Sequence, residues 1–334
     1  MKFRQNIAMG LGVLRGKFLS QNVPLSVMLS VTNRCNSKCR YCDISSRKQK
    51  EMSTSEMLNL IEQMSAGGVK KLSLWGGEPL LRDDIGAIIT KAKDRGMCVN
   101  IDSNGYLVPE IFETIKDLDF IIFSFDGEKK QHDHNREPGA YDKLFRAIEF
   151  IDGRIPVWTL TVLTKYNIGS VDFILQKARE YRFKALFQVP YHPLPLGSAE
   201  DLLASADEYA KVFSGLARLK KGNSQVISSS RYLNAVSKWG FFPGTTSEFR
   251  PQHFPECWAG RMFCNIDTNG DMYTCSPRIG LHKQPPNVLK YGFAESFRRL
   301  KKSGCQSCVS GCSLETNFVF SLNIKSIREW LVVL

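Results

Sequence analysis

The sequence predicts an α/β fold, a partial and open (β/α)6 barrel of parallel strands followed by a cysteine-rich C-terminal extension. Three observations predict it. Between residues 25 and 195 short β-rich runs alternate with longer helix-period segments, one strand about every 20 to 45 residues, and such units join parallel strands through right-handed crossovers. The cadence stops after Leu196-Gly197. Six cysteines, Cys257, Cys264, Cys275, Cys305, Cys308 and Cys312, then fall within 56 residues.

Composition sets the class. The 334 residues are 43% apolar and 23% charged, values of a soluble globular chain with two domains or one large domain and an appendage. The longest uncharged stretch, Phe18 to Asn33, has 16 residues and contains Gln21, Asn22 and Pro24, too short and too polar to span a bilayer. No apolar run near the start precedes a small-residue cleavage site, so a cytoplasmic chain is expected. Residues 1–50 hold ten Lys or Arg and one acid, a net +9 out of the total +12. The basic character is therefore local, which argues against a nucleic-acid partner. Cytoplasmic thiols stay reduced, so disulfides are not expected, and the nine cysteines that fall into two tight groups are expected as metal ligands. Cys98, alone within Met97-Cys98-Val99-Asn100-Ile101, reads as a small buried apolar residue.

Residues 1–22 form a basic amphipathic segment. Phe3, Ile7, Leu11, Leu14 and Phe18 fall on one helical stripe, flanked by Lys2, Arg4, Arg15 and Lys17 with no acid. Two readings stand side by side: an interfacial helix drawn to anionic lipid on the inner face of the membrane, or a helix packed against the bottom of the barrel. Gly10 and Gly12 weaken either helix. Within a core at residues 23–220, strands are expected at Leu25–Val31, Val69–Trp75, Met97–Asp102, Phe120–Phe125, Pro156–Leu163 and Lys184–Val189. Helices are expected at Ser53–Ser65, Asp83–Arg95, Pro109–Lys116, Tyr141–Ile151, Val171–Tyr181 and Ser205–Lys220. Residues 221–256, rich in Ser, Gly and Pro, read as a linker. Residues 257–334 lack periodic apolar faces, so metal ligation is expected to hold them together.

Cys35-Asn36-Ser37-Lys38-Cys39-Arg40-Tyr41-Cys42 spaces three cysteines C-x3-C-x2-C directly after the first strand. Three thiolates on one loop can hold three irons of a four-iron cluster and leave the fourth iron open for chemistry. A zinc loop lacking its fourth ligand, or three unrelated thiols, leaves that spacing unexplained.

This loop resembles that of the radical S-adenosylmethionine (SAM) enzymes, and the resemblance extends over roughly residues 25–195. It implies that the open iron binds SAM, whose reductive cleavage yields a 5′-deoxyadenosyl radical that takes hydrogen from a substrate, as an oxidoreductase or radical transferase. It also implies a low-potential electron donor such as flavodoxin or ferredoxin. Trp75-Gly76-Gly77-Glu78-Pro79 resembles the family's GGEP motif, whose glycines let backbone carbonyls approach the methionine ammonium while Glu78 compensates charge. Asn104, Ser124 and Asp126 sit at ends of the third and fourth strands, where the family binds ribose or carboxylate, and where β/α folds assemble active sites. Arg136 resembles an Arg used on the SAM carboxylate, which a guanidinium matches bidentately. Tyr41 and Gln188-Val189-Pro190 are expected to border the adenine. His132, His134 and His192 read as loop or satisfied polar residues.

The C-terminal cysteines, with Gly270 five residues before Cys275, resemble the SPASM or twitch extension that binds auxiliary four-iron clusters. A zinc ribbon is the alternative. A full SPASM domain has seven cysteines; the six here suffice for one auxiliary cluster, held by Cys257, Cys275 and two or more of Cys264, Cys305, Cys308 and Cys312. Sulfatase-maturing members carry an acid directly after the cysteine equivalent to Cys275; here it is Ser276. Peptide-modifying relatives usually carry a separate strand-rich recognition module, which the twenty-residue basic amphipathic segment cannot supply. A small-molecule or lipid-linked substrate is thus expected, with peptide maturation as the alternative. A non-catalytic iron–sulfur electron carrier would need neither Gly76-Gly77-Glu78-Pro79 nor Asn104.

Overall fold

The computed structural model describes residues 3–19, 21–190, 202–242, 244–301 and 304–331. Lys2 and His192, named above, lie outside the described residues, as do the side chains of Phe3 and Arg4. Along the chain come α1 (Phe3–Phe18), β1 (Ser26–Thr32), α2 (Thr54–Ala66), β2 (Lys71–Gly76), α3 (Ile85–Asp94), β3 (Cys98–Ser103), α4 (Val108–Ile115), β4 (Phe120–Ser124), α5 (Lys129–Asn135), α6 (Ala140–Ile151), β5 (Val157–Val162), α7 (Val171–Glu180), β6 (Lys184–Gln188) and α8 (Ala206–Leu219). There follow α9 (Ser230–Ser237), β7 (Thr246–Ser247), β8 (Phe263–Ile266), β9 (Met272–Tyr273), α10 (Val288–Tyr291), α11 (Phe293–Arg299), β10 (Ser307–Cys308), α12 (Gly311–Phe320) and α13 (Ile324–Leu331). One eight-stranded sheet has the order β6-β5-β4-β3-β2-β1-β8-β9. The six expected strands run in sequence along it, each followed by helix, which is the α/β topology the cadence predicts.

Two compact units are present: Met1–Asn36, Asp43–Ile121 and Trp258–Ser303 in the first, Ser37–Cys42, Ile122–Cys257 and Gly304–Leu334 in the second. In the first, β1 pairs in parallel with β2 and β8, and β2 with β3. Register sets the two faces. Ile266, Leu29, Leu74 and Ile101 form one row across four strands, and Cys264, Val27, Leu72 and Val99 another, all buried. The intervening row is Asn265, Met28, Ser73 and Asn100. Strand alternation thus gives an apolar face and a polar one. Helices α2 and α3 complement the first with Met57, Leu60, Ile61 and Met64 and with Ile85, Ile88, Ile89 and Ala92, the larger of these side chains contributing about 1.5–3 kcal/mol each on burial. A capping box of Ser53 and Glu56 starts α2.

In the second unit β5 and β6 pair in parallel from Trp158↔Lys184 to Val162↔Gln188. Phe125 anchors an aromatic cluster there, edge-on to Phe145 at 5.3 Å and to Phe183 at 6.0 Å. The stretch 221–256, expected as a linker, contains α9, whose Tyr232, Leu233, Ala235 and Val236 are buried. Its serines act as a helix start: Ser229 Oγ accepts from the Tyr232 amide at 3.1 Å. The C-terminal extension also supplies β8 and β9, so part of it builds the main sheet beside β1.

Candidate active site

In the first unit, the ends of β1, β2 and β3 are tied together. Gly77 N donates to Thr32 O and Glu78 N to Arg34 O, both at 2.8 Å. A Cβ on Gly76, whose φ is +139°, would lie 2.3 Å from Thr32 O, and one on Gly77 2.2 Å from Arg34 O. The glycines are therefore required by the backbone that opens the cysteine loop, a closer reason than the ligand approach expected from sequence. Glu78 is buried. Its Oε1 accepts from Ser103 Oγ at 2.9 Å and Leu80 N at 3.0 Å, and its Oε2 from Asn104 N at 2.8 Å. Asn104 Nδ2 then donates to Asn36 Oδ1 inside the cysteine loop at 2.7 Å. Pro79 opens a short 3-10 turn. Sequence reasoning missed Arg82, which lies beneath that turn: its Nη1 donates to Val31 O at 2.7 Å while Asp84 takes its other edge.

In the second unit Asp126 is fully buried, and its Oδ2 accepts from Tyr41 Oη and from Arg136 Nε, each at 2.8 Å. Arg136 also donates through Nη1 to Cys39 Sγ at 3.4 Å, and its guanidinium lies over the Tyr41 ring. Burial pushes the Tyr41 hydroxyl well above its usual range, so it remains a donor. The Asp126 amide donates to His132 Nδ1 at 3.0 Å. Desolvation and then the Arg136 charge hold His132 well below its ordinary value. His132 is thus a neutral acceptor in the core. Where the sequence suggested the adenine for Tyr41, the ribose or carboxylate for Asp126 and the carboxylate for Arg136, the structure joins the three to one another and to Cys39. Ser124 is half-buried at the end of β4.

No cysteine is in a disulfide. Cys35 falls in the first unit, Cys39 and Cys42 in the second. The Cys42 amide donates to Cys39 O at 3.1 Å, and Arg40 N to Asn135 O at 2.9 Å, fixing the loop to α5. Cys264 lies inside β8, buried opposite Val27, and burial pushes its thiol up. Gly270 takes φ +86° in the turn that joins β8 to β9, and Cys275 follows β9. Cys308 pairs with Thr246 in β10, Cys305 Sγ donates to Ser307 O at 3.3 Å, and Cys312 stands in the first turn of α12. Among the described residues no three His, Cys, Asp or Glu side chains are grouped to hold a single metal ion. A cluster asks for something else, because each thiolate binds a different iron. Thiol-only donors, with a cation bonded to one sulfur, fit that group.

The polar face of the first unit's sheet was not legible as a site. Asn265, wholly buried, has neither amide atom hydrogen-bonded among the described residues, nor has Trp75 Nε1. Asp102, bonded to Asn100 at 3.2 Å, has its carboxyl pushed up to about 7 by burial, against the pull of Lys71.

Residues 29–185 match the Radical SAM superfamily. Mycofactocin maturase MftC of Mycolicibacterium smegmatis is 26% identical over 313 residues, covering 86% of this chain and 76% of that protein. The AdoMet-dependent heme synthase of Methanosarcina barkeri is 26% identical over 317 residues, covering 86% and 89%. Among solved structures, Streptococcus suis SuiB bound to S-adenosylmethionine aligns with TM-score 0.68 at 14% identity over 86% of this chain and 68% of that one. For anSMEcpe with bound AdoMet the values are 0.65, 16%, 91% and 98%. With the strand order and the C-x3-C-x2-C loop already in place, the match over residues 29–185 makes this part of the chain a radical SAM domain, and the solved neighbours share its fold.

Proposed function

We propose that Cys35, Cys39 and Cys42 hold the SAM-binding cluster and that the enzyme abstracts hydrogen from a small-molecule or lipid-linked substrate. The observation that carries this is the chain of hydrogen bonds from Asn36 through Asn104 to Glu78, which binds three separate motifs into one construction. Glu78 acts as the bracket that sets the ends of β2 and β3, leaving Gly76, Gly77, Pro79, Asn104 and Ser124 to face SAM. Arg136, braced by Asp126 and Tyr41, donates to Cys39 Sγ and so holds that sulfur in place on the loop. When bound, the cluster and SAM would supply the electron and the 5′-deoxyadenosyl radical. A flavodoxin- or ferredoxin-like protein is the proposed reductant.

For the auxiliary cluster we propose Cys257 and Cys275 with two of Cys305, Cys308 and Cys312. Cys264 is left out, because its side chain belongs to an apolar row of the sheet. The second reading, peptide maturation, is supported by the likeness to mycofactocin maturase and to SuiB, which has been solved bound to its precursor peptide SuiA.

The test is anaerobic reconstitution. The wild type should hold about eight irons, four per cluster, and form 5′-deoxyadenosine from SAM and a reductant. Cys35→Ala, Cys39→Ala and Cys42→Ala should each abolish that product, while Cys264→Ala should retain both iron and activity. Undiminished product from any of the first three variants would falsify the assignment. Isotope transfer into 5′-deoxyadenosine from fractionated lipid extracts, against peptide extracts, decides between the two substrate readings.

A further inference from the structure

The first helix presents its faces in an unexpected order. It rests on the first unit through small residues: Gly12 meets the Leu25 side chain and Gly16 the Met262 side chain so closely that a Cβ would lie 2.2 and 2.5 Å from their nearest atoms. Val13 is buried between them. Arg261 Nη2 donates to Gly16 O at 3.4 Å, and Gln5 Nε2 to Gly96 O at 3.0 Å. The apolar stripe points the other way, with Ile7 49%, Leu11 54%, Leu14 43%, Phe18 68% and Leu19 61% exposed. A helix kept only to cover the sheet would bury that stripe; this one buries Gly12 and Gly16 instead. The bottom-packed and the interfacial helix of the sequence reading are therefore compatible, on opposite faces.

We propose that α1 seats the enzyme on an anionic lipid surface, its stripe entering the boundary between headgroups and acyl chains. Charge selects the occupant. Arg15 is exposed beside the stripe, and the sequence holds no acid before Asp43. A second copy of the chain would bring two such acid-free segments face to face and repel. A peptide partner would need a groove, which a single convex helix does not offer, whereas a bilayer receives a convex helix lengthwise. Each cation held near an anionic surface strengthens partitioning about fivefold, and salt screens it within a Debye length.

The experiment uses the full-length, anaerobically reconstituted protein and vesicles of phosphatidylcholine with or without phosphatidylglycerol, at low and high salt. The wild type should co-sediment with the phosphatidylglycerol vesicles at low salt and lose roughly tenfold in partitioning at high salt. Leu11→Ser/Leu14→Ser/Phe18→Ser should lose at least about tenfold, with unchanged melting temperature and unchanged formation of 5′-deoxyadenosine from SAM. Arg15→Glu/Lys17→Glu should weaken binding to the anionic vesicles alone. Failure of the wild type to sediment at low salt, equal binding to uncharged vesicles, or a lowered melting temperature in the stripe variant would each overturn the proposal. SAM cleavage is read separately, so none of these outcomes bears on the radical chemistry.

Discussion

Glu78 shows why single residues were harder to read than motifs. Its position in Gly76-Gly77-Glu78-Pro79 was legible, but its partners, Ser103 and Asn104, lie 25 and 26 residues away and become neighbours only through the register of β2 and β3. Asp126 is the same case: expected at a ribose or carboxylate contact, it is the brace of Arg136 and Tyr41. Asp102 gave no signal at all, since its environment is created by strands that flank it. Its carboxyl, raised from 3.8 to about 7 by burial, yields a pH prediction. In the unfolded chain Asp102 ionises near pH 4, and in the folded chain near pH 7. Folding therefore binds a proton between those values: the contribution of Asp102 is most favourable below pH 4, is lost as pH rises to 7, and is constant above. A three-unit shift corresponds to about 4 kcal/mol, which solvent reaching the half-buried side chain reduces to about 2 kcal/mol. Asp102→Asn should accordingly raise the melting temperature at pH 8 more than at pH 5. An equal effect at both would show that the carboxyl titrates normally.

Elements with a clear apolar period were read to within one or two residues. β1, expected at Leu25–Val31, runs Ser26–Thr32, and α7, expected at Val171–Tyr181, runs Val171–Glu180. The elements that escaped lack such a period. Helix α5, Lys-Lys-Gln-His-Asp-His-Asn, has no apolar side chain, α9 hides behind a serine run that caps it, and four-residue β8 carries a buried Asn at its third position. The turn after β2 is a better place to test the element scale. Gly77→Ala would drive a methyl into the Arg34 carbonyl, which is backbone and cannot swing aside. It should cost about 1–3 kcal/mol and release iron from the SAM-binding site. Gly10→Ala in α1, where nothing lies within 4 Å, should instead gain roughly 0.5–1 kcal/mol. Thermal melts and iron analysis of the pair check both, and retention of full iron by Gly77→Ala would show that the turn tolerates separation from the cysteine loop.

At the scale of the whole molecule, the sequence reads residues 221–256 as a linker between the core and an extension held together by metal ligation. The structure assigns Trp258–Ser303 to the first unit, and Ser26 pairs with Phe263 across more than two hundred residues of chain. Truncation after Glu256 should therefore give insoluble protein rather than a smaller active enzyme, measured as the soluble fraction on expression; a monomeric, iron-loaded truncation product would refute this. The same pairing reaches into synthesis. A ribosome releases β1 early and β8 only near the end, so throughout elongation β1 presents an unpaired, Val- and Leu-rich edge to other nascent chains. Pairing so distant in sequence is also slow. The yield of this enzyme in a cell should depend on whatever shields that edge until residue 266 has emerged, more than on the supply of iron and sulfide.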